Sequence, residues 1–466
     1  MSILTGIKPV IYDCCPNSCI AYTRKYIHHS SCPICNERRF QANGQPRSQF
    51  TYFPLIPRLQ GFFQSNQTVA RMSYRRDFRP HESKICDIFD SAHYQRLLWH
   101  RVVLDGEKLS HRYFSDPRDI ALSLSTDSYL LNGQRRKGPC AMPIVLQNYN
   151  LPPKCRTCLD NLLCIGIIPG PHQPKDVGSF LCPLDDELAE LACGVPTFDA
   201  ATKSVFDLHA YNLFKLSDIV AIEKFLKIKG HNGIHPCRSC KIKGVRGDGR
   251  TYYVPIHPPR DLANADEHIE WDPRNLPLRS HQDFIAITTQ ISEAPTKAEK
   301  ERIAKQTGIK GLPGTSRVLS LDYARCLPWE WFHLLLENII PNLINLWTGQ
   351  FKGLDTGDEP YNIQPYIWQE IGHETAAAVQ DIPASFMRVL SNIASDRSLF
   401  TVESWCFWFV HLAPILLENR FMKKKYYDHM CELGNIMKMT LQFKITKVEV
   451  DDIEVRLVQW VNNYER

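Results

Sequence analysis

The chain has 466 residues, 44% of them hydrophobic and 23% charged, and a formal net charge of +5. That length exceeds one ordinary core and predicts two or three packed units, while the composition is that of a folded soluble protein without repeats or low-complexity tracts. The longest apolar run, "WCFWFVHLAPILL" at 405–417, is too short to cross a bilayer and reads as a buried helix broken at Pro414. The modest positive charge permits nucleic-acid binding without requiring it.

Seventeen cysteines, several in short-spaced pairs, are the most telling feature of the composition. The start "MSILTGIKPVIYD" lacks the basic and apolar blocks of a secretory signal, so paired cysteines point to metal and to the cytosol or nucleus.

In chain order, residues 1–45 are dense in Cys and His and read as a zinc-ribbon-like module. Residues 46–115 read as a helical, basic region, with a short apolar segment that becomes helical after Pro57. From 116 to 240 the pattern turns β-rich. "LSLSTDS", "CAMPIVLQNYNLP" and "NLLCIGIIPG" suggest an antiparallel meander, and "SVFDLHAYNLFKLSD" a further strand. "DDELAELACGV", 185–195, has helical spacing and begins on acids. Residues 241–325 are polar and rich in Pro and Gly, and predict an insertion with one amphipathic helix at 296–308. From 326 to 466 the pattern is helical and aromatic.

Cys15 and Cys19 are spaced C-x3-C and Cys32 and Cys35 C-x2-C, with twelve residues between the pairs. Two tight turns that each present two thiolates can close a tetrahedron around Zn²⁺. Cys14 is an alternative to Cys15, and His28 or His29 could replace a thiolate. Cys237 and Cys240 form a second C-x2-C that needs two more ligands. Glu330 and His333, three apart on a predicted helix, share a face and could supply them. Cys155 and Cys158 lack a partner pair and read as structural.

Two strand candidates end on Asp127 and Asp218, and a later helix carries Glu337. Three such carboxylates can hold two Mg²⁺ or Mn²⁺ ions, hard cations that take oxygen ligands. Basic runs at Arg75, Arg76 and Arg79 and at Lys423, Lys424 and Lys425 are candidate DNA contacts. No P-loop pattern is present.

The blocks "YDCCPNSCIAYT", "CPIC", "DIFDSAHYQRL", "LSLSTDS", "PIVLQNYNLPP", "GIIPGPHQPKDVGSFLCPLDDEL", "KGHNGIHPCRSCKI", "NLINLWTGQFKGLD" and "KKKYYDHMCELGNIMK" occur in order. Through them the chain resembles the transposases of CACTA (En/Spm-type) DNA elements, in the branch abundant in fungal genomes. The resemblance implies an α/β, RNase H-like catalytic core with an Asp-Asp-Glu triad. It implies cut-and-paste chemistry on element ends and target DNA in the nucleus, without a membrane, and it permits a homo-oligomer. Asp127, Asp218 and Glu337 match the three acids. Cys237, Cys240, Glu330 and His333 match a C-x2-C completed by an acid-x2-His pair. Ser128 stands where glycine is usual and Glu330 where aspartate is commoner. These departures carry the alternative expectation of an inactive, truncated remnant that binds DNA through its zinc-containing framework.

Overall fold

The computed structural model describes residues 7–130, 140–231, 233–246, 252–253, 255–257, 270–314, 317–351, 357–387 and 389–465. The chain divides into two compact units. The first comprises Met1–Pro80, Asp87–Lys243 and Pro277–Pro328, and the second His81–Cys86, Gly244–Leu276 and Trp329–Arg466.

The first unit is built on a mixed sheet of seven strands: β1 (Val10–Asp13), β2 (Gln49–Tyr52), β3 (Ile120–Thr126), β4 (Tyr129–Leu130), β5 (Cys140–Asn148), β6 (Leu163–Pro169) and β7 (Ala210–Leu216). Six lie in the order β1-β2-β6-β5-β3-β7, and the short β4 also pairs with β5. The meander β3, β5, β6 is antiparallel, as its turn signals predict, and β2 and β1 extend it antiparallel beyond β6. Only β7 runs parallel to its neighbour, β3, among the paired strands. Parallel neighbours need a crossover. Part of it here is helix α1 (Val177–Cys193), whose Phe180, Leu181, Leu184 and Leu188 pack with Leu122, Leu124 and Ile144 of the sheet.

The alternation in "LSLSTDS" predicts one buried and one wet face for β3. Instead Ile120 to Leu124 and Thr126 are all buried, Ser123 included, because β3 is central and covered on both sides. Ile120, Leu122 and Leu124 enter the core under α1. Ala121 faces a second cluster with Tyr113, Tyr149, Tyr211 and Leu213.

Two helices depart from the sequence reading. Helix α1 starts at Val177, well before the acids at 185 and 186, and carries Pro183 inside it. Those acids face other needs: Asp185 pairs with Arg24 at 3.3 Å. After α2 (Ile219–Leu226) comes α3 (His281–Glu293), which the sequence reading missed. It is fixed by a capping box between Ser280 and Asp283 and by buried Phe284, Thr288 and Ile291, three contacts too few to stand out among polar neighbours. The expected amphipathic helix is α4 (Lys297–Thr307), capped by Thr296 and ended by left-handed Gly308.

The second unit is helical. A π-helical stretch, Phe332–Ile339, runs directly into α5 (Ile340–Trp347). Packed with them are α6 (Pro365–Ala377), the helical run Val402–Leu416, α7 (Lys424–Thr440) and α8 (Lys447–Glu465). Buried Trp347, Trp368, Trp405, Trp408, Phe409 and Trp460 pack in this core with aliphatic residues such as Leu336, Ile340, Leu433 and Met437. The 405–417 run is helical as expected, but only one face is buried: Trp405, Trp408, Phe409, Val410, Ala413 and Leu417 are buried, while His411 and Ile415 are exposed. Its break takes the form of a π-helical turn at Trp408–Leu412, with Pro414 at the start of the next segment. Among the described residues no helix is long and apolar enough to cross a membrane.

Candidate metal and nucleic-acid site

The N-terminal cysteines form two turns that each reverse through a left-handed residue, Ser18 (φ 60°) and Asn36 (φ 62°). In the first, Cys15 N–H donates to Ile20 O at 2.9 Å and Ser18 N–H to Cys15 O at 2.7 Å. In the second, Asn36 N–H donates to Cys32 O and Cys32 N–H to Glu37 O, both at 2.8 Å. This folding brings the Sγ atoms of Cys15, Cys19, Cys32 and Cys35 within 4.8 Å of one another. Zinc bound at ~2.3 Å to four tetrahedral thiolates needs sulfurs about 3.8 Å apart. The four cysteines therefore fit a structural zinc ion. Asn17 N–H also donates to Cys15 Sγ, as metal-bound thiolates commonly require.

Burial pushes the Cys15 thiol up and takes Cys19 to about 11. At Cys35 burial also pushes upward, but hydrogen bonds, led by the Glu37 N–H and followed by neighbouring side chains, bring it down to about 7. A dication reverses the upward shifts by stabilising thiolate. Cys14 is not in the cluster. Its Sγ meets Ser48 Oγ at 3.2 Å. Neither His28 nor His29 belongs to it. Arg39 ties the second turn to β1 through Asp13 at 2.7 Å.

The two aspartates sit at the end of the parallel strand pair. Ser125 is in register with Leu216. Beyond them Ser217 Oγ donates to Thr126 O at 2.6 Å and stands 3.3 Å from Thr126 Oγ1. This clasp joins the two chain segments one residue before each carboxylate. Asp127 is exposed and its Oδ1 accepts the Ser128 N–H at 2.7 Å. Asp218 is half-buried and caps α2, its Oδ1 accepting the Ala221 N–H at 2.6 Å. Each carboxylate thus uses Oδ1 locally. Among the described residues no hydrogen bond engages either Oδ2, which suits a further ligand such as a hard cation.

Glu337 lies in the second unit, half-exposed on the π-helical stretch. His333 stands between two acids there, with Nδ1 2.6 Å from Glu330 Oε2 and Nε2 3.6 Å from Glu337 Oε2. Cys237 and Cys240 lie in the first unit. Cys237 Sγ accepts the N–H groups of Ser239 and Cys240 at 3.3 Å, and Arg279 Nε donates to both cysteine carbonyls at 3.0 Å. Among the described residues these two cysteines join no cluster of three metal-type ligands.

The basic runs separate by burial. Arg75 turns inward, donating to Asp119 O, Asp116 O and Tyr94 Oη. Arg76 pairs with Asp77 at 2.7 Å and is exposed, as is Arg79. Lys424 pairs with Asp428, Lys425 lies over the Tyr426 ring and Lys423 precedes α7. Cys155 and Cys158 stand outside the thiol cluster.

Residues 99–257 match the family model "Transposase family tnp2". The match takes in both aspartates and the 237–240 pair, and it supports reading this stretch as part of a transposase. It stops short of Glu330, His333 and Glu337. No curated protein matches the chain.

Proposed function

We propose that the chain is a cut-and-paste DNA transposase of the CACTA type with an RNase H-like core and an Asp127, Asp218 and Glu337 triad. The observation that carries this reading is the parallel β3–β7 pair, which delivers one carboxylate from each strand end to the same edge of the sheet. The order β6-β5-β3-β7, with three antiparallel strands and then one parallel strand reached through a helix, is the order an RNase H-like core uses. The transposase family match over the same residues adds to it.

In this reading Asp127 and Asp218 present their outer oxygens to the scissile phosphodiester region and Glu337 completes the set. Mg²⁺ or Mn²⁺ held there would neutralise charge on the phosphodiester in hydrolysis and in the following transesterification. The capping bond of Asp218 fixes its rotamer, and the Thr126–Ser217 clasp fixes the spacing of the two backbones. The four-cysteine zinc is structural. Cys237 and Cys240 with Glu330 and His333 are proposed as a second zinc set, and the nucleus as the site of action.

A Mg²⁺- or Mn²⁺-dependent strand-transfer assay on element-end DNA tests this. Wild-type activity that is lost in D127A, with DNA binding kept, supports the triad. A wild type that binds DNA and transfers no strand rejects it and leaves the zinc-containing remnant.

A further inference from the structure

The same edge of the sheet carries a feature that the triad does not use. In register, Tyr129 faces Ala141 and Ala141 faces Pro169, so β6 ends on the row two residues beyond Asp127. The chain leaving β6 is fastened to the first cysteine turn. Ser18 Oγ donates to Pro169 O at 2.5 Å, and the N–H groups of Lys175 and Asp176 donate to Cys19 O at 3.1 and 2.9 Å. Gly170 is required there, since a Cβ would sit 2.2 Å from the Cys140 carbonyl.

Between this segment, the cysteine turns and α2 lies an open cavity of about 640 Å³. Asn17, Ile34, His172, Gln173, Lys175 and Lys224 line it beside two of the thiols, and among the described residues none that lines it is acidic. Lys224 is the sixth residue of the helix that Asp218 caps, so its backbone lies about 9 Å along the axis from that of Asp218. That is the length of two to three nucleotides at ~3.4 Å each. Gln173 Oε1 accepts from Lys224 Nζ at 2.5 Å and holds it toward the cavity. Lys175 and Lys224 share this lining, the charge of Lys175 acts against that of Lys224, and among the described residues no carboxylate lines the cavity, a setting that suits a polyanion.

We infer that this groove seats the phosphodiester backbone of DNA, with Lys175 and Lys224 as phosphate contacts and the zinc turns as its outer wall. The inference rests on the DNA-transposase reading and adds where the substrate runs. DNA leaves the two aspartates across α2 and β6 toward the cysteine turns. The structural zinc thus shapes a DNA-binding surface beside the acids.

The test uses the full chain and a fluorescein-labelled duplex of mixed sequence, with anisotropy measured over a range of salt concentrations. K175Q/K224Q is expected to weaken binding and to lower the slope of log affinity against log salt by about 2, one per lysine. Zinc content and melting temperature, measured on the same samples, are expected to match wild type. An unchanged affinity and slope overturns the groove, and leaves the lysines as charge balance for the thiolates. A wild type that does not bind DNA overturns it as well. Strand transfer by the same wild-type samples separates the two readings. A lowered slope without strand transfer keeps the groove and removes the chemistry, whereas strand transfer with an unchanged slope keeps the chemistry and removes the groove.

Discussion

In the proposed triad Asp218 has two jobs in one carboxylate, and two substitutions divide them. Its Oδ1 accepts the Ala221 N–H at 2.6 Å and so caps α2, a short helix that buries Ala221, Ile222, Phe225 and Leu226. Asp218→Ala removes the acceptor, which costs about 1 kcal/mol for a lost cap. It also removes a negative charge from the helix N-terminus, worth a further ~0.3–1 kcal/mol. Asp218→Asn keeps an oxygen in the capping position and loses only the charge. The alanine variant is therefore expected to melt about 1–2 °C below the asparagine variant. Both are expected to lose strand transfer by at least about a hundredfold, the scale for removing one preorganised charge-stabilising group. Differential scanning fluorimetry reads the first effect and a divalent-metal strand-transfer assay the second. An asparagine variant with wild-type activity refutes the catalytic role. An alanine variant as stable as the asparagine variant refutes the capping argument, and each refutation leaves the other intact.

Cys15→Ser is expected to lower zinc content by one equivalent per chain and Cys14→Ser to leave it unchanged, since Cys14 meets Ser48 and not the thiol cluster; elemental analysis of purified variants decides. Arg75→Ala is expected to destabilise by about 1–3 kcal/mol, because it removes three inward hydrogen bonds and leaves the Tyr94 hydroxyl without its donor, while Asp119 O keeps Asn150 and Asp116 O keeps the Asp119 N–H. R76A/R79A is expected to leave stability within about 0.5 kcal/mol and to weaken DNA binding, measured by denaturation and by anisotropy. Burial, and then the Arg96 charge, lower His93 from 6.5 to about 4. The folded state thus favours the neutral ring. Its stabilising contribution is complete above about 6.5 and is lost as pH falls toward 4, up to about 3 kcal/mol. His93→Phe is expected to flatten that part of the stability–pH curve, measured by urea denaturation between those limits, and an unchanged slope refutes the assignment.

The parts of the site that were legible in the sequence are those fixed locally. The cysteine spacing alone defines two turns, and the chain need only reverse at Ser18 and Asn36 to bring four sulfurs together. Asp127 and Asp218 each stood out as an acid closing an apolar strand. Their adjacency was expected from the resemblance and not from spacing, because it depends on a parallel pairing between segments 91 residues apart and on a hydroxyl clasp. Burial direction was equally hidden. "YRRDFR" reads as uniform charge, yet its first arginine turns inward and the second stays outside. The lysines of the groove come from a loop and a helix that share no motif, and only the sheet brings them together.

The stitching of β1 and β2 to the sheet through β6 has a consequence for synthesis. The cysteine hairpin leaves the ribosome more than a hundred residues before β6, the strand whose edge it completes. Zinc can close its turns early, since all four thiols lie within the hairpin. Meanwhile β2 waits with an unpaired edge, the kind of surface that invites wrong partners. A nascent chain stalled before β6 should therefore carry its metal yet remain prone to aggregate. Release from that state depends on how quickly translation supplies β6.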